Sequence, residues 1–443
     1  MSARALIVAA PASGSGKTTL VAGLLRALQR KGLRTAALKV GPDFIDPAFH
    51  AAASGRPCRN IDGWAMRPQT LRHQVTAASS NADMVIIEGV MGLFDGAATG
   101  EGSTADMAAL LGLPVLLVLD VRAQSASAAA VALGFARYRE DVEVVGVILN
   151  RLAGERHRLM IEPAFARTGL RLLGGLLRNE ALSLPSRHLG LVQAMEHASL
   201  DAFLNDAADA VEQSLDLDEV LRLARPLSSA VSTHADVSTP AGPSTQAAPL
   251  DPLGNHIAIA RDAAFAFSYP HLIESWREQG AVVSYFSPLA DEGPSADADS
   301  VYLPGGYPEL FAARLAAGLR WKQGLRSVAE RGRWIYGECG GFMALGTELI
   351  DSQNESHAMA GLLPLVSSFA APKLSLGYRT VSFLKPMPFA REGQLLRGHE
   401  FHYASSVQSL DCDQLLSIEG AASGLRRGSV CGSFIHLIDR LDV

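Results

Sequence analysis

Two groups of residues in this chain have types and spacing that support catalysis. The first is Cys339 in the run Gly-Glu-Cys-Gly-Gly, directly after the apolar residues 334–336, with His436 far downstream as a candidate base. Glycines around a nucleophile suit a sharp turn from strand to helix, because they avoid a Cβ clash. Cys339 could therefore attack an acyl carbon while His436 takes the thiol proton. A buried structural thiol is the commoner fate of a lone cysteine, but this context favours the nucleophile.

A second feature of the same half supports acyl chemistry. The Pro-Gly-Gly run at residues 304–306 follows another predicted strand. The N–H groups of Gly306 and Gly340 could together hold the oxygen of a tetrahedral intermediate. Losing one such donor typically slows an enzyme by about 10²- to 10³-fold. The sequence therefore predicts an oxyanion hole beside Cys339.

The other chemically capable group is the loop PASGSGKTT at residues 11–19, between a predicted strand and a predicted helix. Its N–H groups and the helix N-terminus could cradle phosphate oxygens. Lys17 would reach the β and γ phosphates and Thr18 would hold Mg2+. Pro11 stands where this motif usually has its first glycine. We infer that ATP or a related nucleotide binds here, and the predicted binding residues are Gly14, Ser15, Gly16, Lys17, Thr18 and Thr19.

Acidic residues follow two further predicted strands of this half. Glu88 ends the apolar run 84–87, where a buried charge is costly unless it serves a metal or a ligand. Asp43 and Asp46 follow another strand, and such loops face the same crevice. Turn formation and helix capping are the alternative for this pair, and Asp46, which precedes a proline, is a plausible N-cap.

The elements that position these groups predict an α/β fold. Apolar strands alternate with amphipathic helices, as in a parallel sheet covered on both faces. The first helix is predicted over residues 18–29. The predicted strands of the N-terminal half are residues 5–10, 35–40, 84–88, 115–120 and 144–149. Those of the C-terminal half are residues 257–260, 282–286, 300–303 and 334–336, before a more β-rich portion.

Length and composition predict two domains. The chain has 443 residues, and single cores stop growing at roughly 250 to 300 residues. Residues 226–252 are rich in Ser, Thr, Ala, Gly and Pro and contain no Lys, Arg or aromatic residue, as is typical of a linker. We therefore expect an N-terminal domain over residues 1–225 and a C-terminal domain over residues 253–443.

Charge and cysteine usage exclude several classes of protein. A net charge of −6 argues against a nucleic-acid partner. The four cysteines form no Cys-x-x-Cys pair, which argues against a disulfide framework or a cysteine zinc site. The longest apolar run, residues 110–119, has about half of the ~20 residues that a membrane span needs. The N-terminus has no signal-peptide pattern, so we expect a cytoplasmic protein without a membrane partner.

Four segments of the N-terminal half carry a family resemblance. Residues 39–50 (KVGPDFIDPAFH), 88–96 (EGVMGLFDG), 146–151 (GVILNR) and 184–192 (LPSRHLGLV) resemble the synthetase domain of the cobyrinic or hydrogenobyrinic acid a,c-diamide synthases. That domain is similar in fold to dethiobiotin synthetase. The resemblance implies Mg2+ ligands at Thr18, Asp43 and Glu88. It also implies that Lys17 and Lys39 neutralise the γ phosphate, that Asp46 acts near the substrate carboxylate, and that Asn150 contacts adenine.

The C-terminal half resembles the class I glutamine amidotransferases, in the branch shared by the cobyrinic and cobyric acid synthases. The matching segments are residues 261–270, 304–310, 373–379 and 398–403. The resemblance implies that Cys339 releases ammonia from glutamine and that ATP activates corrin carboxylates as acyl phosphates. Most class I enzymes have a glutamate two places after the histidine. That place is Ile438 here, and Asp439 lies one residue too far for the usual geometry.

His399 and His402 leave three interpretations open. Two histidines three apart can ligate zinc, but on a strand they would lie on opposite faces. Their segment, GHEFHY, also matches the synthase family. A role in lining the glutaminase or an interdomain surface and ordinary packing are the other two possibilities.

Two rival functions remain at this point. Cobyric acid synthase amidates other side chains of the same macrocycle, and residues 41–47 and 88–96 favour the a,c-diamide enzyme. A nucleotide-switched positioning ATPase shares the phosphate loop and the parallel sheet, but it has no use for Cys339. The sequence does not determine whether the corrin carries cobalt. A homodimer is implied by the resemblance alone.

Overall fold

The computed structural model describes residues 3–184, 186–187, 190–227, 248–408 and 412–442. Contacts divide these residues into two compact units. The first comprises residues 3–64 and 71–227, and the second comprises residues 65–70 and 248–442. Most of the predicted linker, residues 228–247, lies outside the described residues.

The first unit is built on strands that alternate with helices. Its strands are β1 (Arg4–Ala9), β2 (Thr35–Val40), β3 (Arg59–Ile61), β4 (Met84–Glu88), β5 (Val115–Asp120), β6 (Val144–Leu152), β7 (Leu172–Leu177), β8 (Ser186–Arg187), β9 (Gly190–Leu191) and β10 (Arg225–Pro226). Its helices are α1 (Lys17–Arg30), α2 (Asp46–Ser54), α3 (Pro68–Ser79), α4 (Thr104–Leu111), α5 (Ser127–Arg137), α6 (Glu155–Phe165), α7 (Leu200–Ser214) and α8 (Leu217–Leu223). The first residues of α3 belong to the second unit by their contacts.

The main sheet of this unit has the order β3-β2-β4-β1-β5-β6-β7, and all of these neighbours are parallel. Strand β10 adds to β1 in the antiparallel direction. The central strands are buried along their whole length, which requires cover on both faces. Because β2, β4 and β1 are adjacent, the segments after their carboxyl ends converge at one edge of the sheet.

The second unit begins its sheet with parallel strands and continues it with antiparallel ones. Its strands are β11 (His256–Ala260), β12 (Val282–Phe286), β13 (Ser300–Leu303), β14 (Trp334–Glu338), β15 (Glu348–Ile350), β16 (Ser356–Ala358), β17 (Leu365–Ser368), β18 (Ser375–Phe383), β19 (Leu395–His402), β20 (Ser405–Gln408), β21 (Asp413–Ile418), β22 (Ala421–Arg427), β23 (Val430–Ser433) and β24 (Ile435–Arg440). Its helices are α9 (Pro270–Glu278), α10 (Ala312–Ala317), α11 (Arg320–Glu330) and α12 (Gly340–Leu345).

Among the described residues, the large sheet of this unit has the order β12-β11-β13-β14-β23-β22-β21-β18-β19-β24. Strands β12, β11, β13, β14 and β23 run parallel, and the later pairs are antiparallel. A smaller sheet has the order β16-β15-β17-β20. Strand β14, which directly precedes Cys339, therefore lies in the interior of the parallel part, between β13 and β23.

A short segment from the N-terminal half of the sequence belongs to the second unit. Arg67 is 6% exposed and its side chain pairs with Asp439, which is fully buried. The N–H of Arg67 also donates to Asp439 at 2.8 Å, and its guanidinium donates to the Ala248 carbonyl oxygen at 2.9 Å. The predicted boundary at residue 225 did not anticipate this excursion of the chain, because nothing in the local sequence marks it.

The predicted strands of both units are found within one or two residues of their expected bounds, except that β6 extends to Leu152. In the first unit, the strands β3, β7, β8, β9 and β10 were not predicted. Both edges of the predicted linker are packed, since Pro226 pairs with Arg4 and Leu250 is buried. Within the described residues, no helix is long and apolar enough to cross a membrane.

Candidate functional sites

The phosphate loop of the first unit has the backbone that its sequence predicts. Gly14 and Gly16 have φ angles of 74° and 88°, which strain any residue with a Cβ atom. A methyl group on Gly16 would lie 2.2 Å from Nδ2 of Asn150. That amide donates to the Ser15 carbonyl oxygen at 2.8 Å. Asn150 therefore lies against the loop itself.

Lys17 starts helix α1 and is almost fully buried. Its ammonium donates to the carbonyl oxygens of Met91, at 2.6 Å, and Ala12, at 3.3 Å. Burial lowers the pKa of Lys17, and the carboxylate of Glu88 opposes that shift. Thr18 donates from its hydroxyl to Oε1 of Glu88 at 3.0 Å. Two side chains of the loop thus converge on the carboxyl end of β4.

Lys39, at the end of β2, completes a buried cluster of charges. Its Nζ atom lies 3.3 Å from Oδ2 of Asp46 and 3.7 Å from Oε1 of Glu88. Burial opposes the charge on Lys39, but Glu88, Asp46 and Asp43 outweigh it and raise the lysine pKa. The resemblance implied that Lys39 neutralises the γ phosphate. In the structure its ammonium pairs with the carboxylates of Asp46 and Glu88.

Asp43 and Asp46 have different local roles. Oδ1 of Asp43 accepts hydrogen bonds from the N–H groups of Ile45, at 2.8 Å, and Asp46, at 3.1 Å. The N-cap of α2 is Ile45, and Asp46 is the first residue of the helix. The suggestion that Asp46 is the N-cap was therefore wrong. Asp43 makes the turn, which leaves the Asp46 carboxylate for Lys39.

The cluster has the donors and the charge that suit a divalent cation. Thr18, Asp43 and Glu88 offer oxygen ligands, which Mg2+ prefers. Burial raises the pKa of Asp46 well above its usual value, and the nearby charges of Asp43 and Glu88 raise it further. The carboxylates are thus incompletely neutralised by the lysines, and a cation at this position would relieve the repulsion.

A cavity of about 410 Å³ opens next to the phosphate loop. Its lining includes Gly16, Thr19, Asn150, Arg178 and Leu182. Polar groups from the loop meet apolar side chains there, a combination that suits a purine base and its ribose. Asn150 lines this cavity and also contacts the loop, and its contact with adenine stays a prediction.

The nucleophile turn of the second unit is strained. Cys339 directly follows β14 and has φ and ψ angles of 47° and −107°. Its N–H donates to the Ser433 carbonyl oxygen at 2.8 Å, which fixes the turn against β23. A non-glycine residue rarely adopts a positive φ, and such strain concentrates at functional sites.

Three glycines bring the predicted groups together. A methyl group on Gly305 would lie 3.1 Å from Nε2 of His436 and 3.2 Å from Cβ of Cys339. A methyl group on Gly340 would lie 3.0 Å from the nitrogen of Gly306. The thiol, the imidazole and the two predicted oxyanion donors therefore surround one small space.

The groups in this space are uncharged by virtue of burial. Burial raises the pKa of the Cys339 thiol far above its usual value. Burial also lowers the pKa of His436 to about 3, and His399 and His402 act in the same direction. The free site thus holds a thiol and a neutral imidazole rather than an ion pair.

An acidic side chain lies close to the histidine. Oε2 of Glu338, the last residue of β14, is 3.8 Å from Nδ1 of His436. Glu338 also accepts from the Tyr302 hydroxyl at 2.7 Å and from the N–H of Leu437 at 3.1 Å. Burial raises the pKa of this carboxyl to about 7, against the effect of those two donors.

Comparison with known proteins matches each of the two units to a protein family. A model of the CobQ/CobB/MinD/ParA nucleotide binding domain matches residues 6–192, and a model of the CobB/CobQ-like glutamine amidotransferase domain matches residues 256–440. The hydrogenobyrinate a,c-diamide synthase of Brucella abortus biovar 1 is 51% identical over 98% of both chains. The enzymes of that name from Rhodobacter capsulatus and Rhizobium meliloti are 51% and 49% identical, over 98% of this chain and 98% and 99% of their own.

The chain belongs to the hydrogenobyrinate a,c-diamide synthase family. The predicted family and fold class are thereby confirmed. The glutamine amidotransferase domain also separates the chain from a positioning ATPase, whose nucleotide-binding domain falls under the same model. As expected for this family, the chain is a glutamine-dependent amide ligase.

In this family member, the two conspicuous histidines of β19 are both buried. His402 stacks on the ring of Phe434 and contacts Glu400 and the Ala404 carbonyl oxygen. Among the described residues, Asp351, Glu355 and His357 form a close set of three His, Cys, Asp or Glu ligand atoms, and neither histidine of β19 belongs to that set. The geometry of His402 favours packing beside the glutaminase site.

Sequence reasoning missed two residues of the sites. His50, on α2, is fully buried and its Nε2 atom forms a very short contact with Oε2 of Glu88. The helical spacing of His50 from Asp46 was the available signal. Glu338 adjoins Cys339 in the sequence, but neighbouring residues on a strand point to opposite faces. Only the return of β24 brings His436 to the face of Glu338.

Proposed function

We propose that this protein amidates the a and c acetate carboxylates of hydrogenobyrinic acid, with ATP and glutamine as cosubstrates. The observation that carries the proposal is the presence, in one chain, of a strained Cys339 turn and a phosphate loop with a carboxylate cluster. Full-length similarity to enzymes named hydrogenobyrinate a,c-diamide synthase supports the choice of corrin.

In the second unit, Cys339 attacks the side-chain amide carbon of glutamine as His436 accepts the thiol proton. The N–H groups of Gly306 and Gly340 stabilise the oxyanion that develops. His436 then gives the proton to the departing nitrogen, so that ammonia leaves and a thioester remains. Water hydrolyses the thioester to glutamate and restores the thiol.

Protonation states of the free site support this order of events. Because His436 is neutral, it can accept a proton, and because the thiol is protonated, it is idle until glutamine arrives. Bound substrate excludes water and presents an amide whose oxygen occupies the oxyanion hole. The turn at Cys339 places this buried residue directly after the carboxyl end of β14, the position of a nucleophile between strand and helix.

In the first unit, the phosphate loop and Lys17 bind the triphosphate, and the cavity next to Asn150 takes the adenosine. Mg2+ held by Thr18, Asp43 and Glu88 would neutralise phosphate charge. Lys39 balances the carboxylates around it, and Asp46 positions the corrin carboxylate for transfer of the γ phosphoryl group. The acyl phosphate that results is a far better acyl donor than the carboxylate.

Ammonia then attacks the acyl phosphate and displaces phosphate, giving the amide. Free ammonia near neutral pH is mostly ammonium, which is not nucleophilic. Production of ammonia by the same protein that consumes it keeps it unprotonated. We also propose that residues 1–225 act as the synthetase domain and residues 253–443 as the glutaminase domain, in a cytoplasmic enzyme whose homodimerisation stays a prediction.

The test is incubation with ATP, Mg2+, glutamine and either metal-free hydrogenobyrinic acid or cobalt-containing cobyrinic acid, followed by mass spectrometry. We expect two acid-to-amide conversions on the metal-free corrin. Conversion of the cobalt corrin alone would change the substrate to cobyrinic acid. Absence of glutamine-dependent amide on either corrin, in a folded protein, would refute the proposal.

A further inference from the structure

We propose that Glu338 is the acidic partner of His436 and replaces the glutamate that most class I enzymes have two residues after the histidine. This inference rests on the proposed roles of Cys339 and His436. Glu338 acts as a positioning residue: its carboxylate faces Nδ1, so that Nε2 is presented to the thiol. It also stabilises the imidazolium that forms when the thiol proton moves.

The usual position of the acid cannot serve in this chain. Ile438 stands two residues after His436, and its side chain is apolar and fully buried. The carboxylate of Asp439 accepts from the N–H and the guanidinium of Arg67, and from the N–H of Arg440 at 2.9 Å. Among the described residues, Glu338 places a carboxylate oxygen 3.8 Å from Nδ1 of the imidazole.

Glu338 holds both the ring and the strand that carries it. Its Oε1 atom accepts from the N–H of Leu437, the residue after His436, at 3.1 Å. Its Oε2 atom accepts from the Tyr302 hydroxyl and faces Nδ1 of His436. On the opposite edge of the ring, Nε2 faces Gly305, where an added methyl group would lie 3.1 Å from Nε2 and 3.2 Å from Cβ of Cys339. The carboxylate, imidazole and thiol therefore follow one another in the order that a catalytic triad requires.

The distance of 3.8 Å is longer than a hydrogen bond, as is common for catalytic contacts before substrate binds. The ring needs to shift by less than 1 Å to close it. Charge on His436 would favour this movement, because an imidazolium attracts the carboxylate more strongly than a neutral ring does. The free enzyme would thus keep the triad loose, and proton transfer from Cys339 would tighten it.

The surroundings of Glu338 suit a group that changes charge near neutral pH. The titratable groups near it include Tyr302 on β13, Tyr336 on β14, Cys339 directly after β14 and His436 on β24, and His399 and His402 on β19 act on His436. Burial raises the pKa of Glu338 to about 7. As the pH rises through neutrality, Glu338 would therefore lose its proton and gain the negative charge that stabilises the imidazolium of His436.

The test uses Glu338→Gln, which keeps the shape of the side chain but replaces one carboxylate oxygen with an amide nitrogen and removes the negative charge. We expect kcat with glutamine to fall by about 10²- to 10³-fold, with KM for glutamine within about threefold of the wild type. When kcat is measured between pH 5.5 and 9, the wild type should lose rate toward acidic pH. This loss should be weaker in Glu338→Gln. Glu338→Asp, which restores the charge at a shorter reach, should recover part of the rate.

Ammonium chloride at raised pH separates this role from a structural one. We expect amidation from ammonia to be unchanged in Glu338→Gln, because that route bypasses Cys339. A parallel loss of both routes, or a wild-type kcat and pH profile with glutamine, would overturn the inference. A different variant, Cys339→Ala, tests the proposed function itself. If glutamine-dependent amidation persists in Cys339→Ala, the proposed function is wrong.

Discussion

Glu88 and Glu338 are both buried glutamates at the carboxyl ends of parallel strands, one in each unit, but their environments differ. Burial raises the pKa of both carboxyls. Around Glu88, however, Lys39 and His50 outweigh burial and lower the pKa to about 2. Around Glu338, neutral donors leave the pKa at about 7. The first unit thus has side chains whose charges are held by ion pairs, and the second has neutral groups that can exchange protons.

This contrast follows from the chemistry that each site is proposed to perform. Phosphoryl transfer requires charges that are already in place, because the transferred group is strongly anionic throughout. Amide cleavage begins with an uncharged amide and an uncharged thiol, so permanent charge next to Cys339 is unnecessary until the thiol proton moves. Each of the following experiments removes one element of that contrast.

The largest expected effect is that of Cys339→Ala. Glutamine-dependent amidation should fall by about 10⁴-fold or more, because no other group in the site can form the thioester. Amidation from high ammonium at raised pH should persist, and both rates are measurable by mass spectrometry. Cys431→Ala is the matched control, since Cys431 is buried in the neighbouring strand β23 and should leave both routes intact. Loss of both routes in Cys339→Ala would make that cysteine structural.

Arg67→Met tests whether a buried carboxylate of the second unit depends on its cation. The substitution leaves Asp439 buried and unpaired, which should lower the free energy of unfolding by about 3–5 kcal/mol. Urea denaturation would measure this loss. Arg440→Met is the control, because Arg440 pairs with the half-exposed Asp251 and should cost below about 1 kcal/mol.

The double variant Arg67→Met with Asp439→Asn should recover part of the stability, because it no longer buries a free charge. Additive losses in the double variant would show that Arg67 stabilises the unit by packing alone.

Glu338 predicts a pH dependence of opposite sign to that of an ordinary paired carboxylate. Its folded-state pKa of about 7 lies above the usual 4.5, so the native state binds the extra proton between these values. Its contribution to the free energy of unfolding is fully present below pH 4.5 and is lost as the pH rises through 7. The stability of Glu338→Gln relative to the wild type should therefore rise by about 3 kcal/mol between pH 4.5 and pH 8.

Urea denaturation of both proteins at constant ionic strength measures that difference. Parallel stability profiles for the two proteins would show that Glu338 has an ordinary pKa, and the contrast with Glu88 would then disappear.

The smallest effect is expected for Asp46→Asn. Amidation should fall by about 10- to 100-fold with either nitrogen source, because the corrin carboxylate is positioned less well. Binding of ATP, measured by calorimetry, should be retained. Asp106→Asn is a suitable control, because Asp106 belongs to the capping box of α4 and should affect stability alone. Unchanged turnover in Asp46→Asn would mean that Asp46 does not position the substrate and serves only in its ion pair with Lys39.

Local sequence predicted the parts of both sites that depend on strand ends and glycines. The loop before α1, the carboxylates after β2 and β4, and the turn at Cys339 were all expected from runs of apolar residues and the residues that follow them. The C-terminal antiparallel strands were expected only as a β-rich portion, because their short, mixed segments have no clear alternation. The excursion of Arg67 had no local signal.

The sequence by itself determined the chemical groups, the elements that carry them and the family. Those features are encoded within a few neighbouring residues, where sterics and apolar periodicity act directly. The tertiary structure decided which groups meet and with what charge. Lys39 pairs with Asp46 and Glu88, and Glu338 faces His436, because strands distant in the sequence become neighbours. Burial then sets each pKa, since desolvation and the nearest charges depend on that packing and not on residue type.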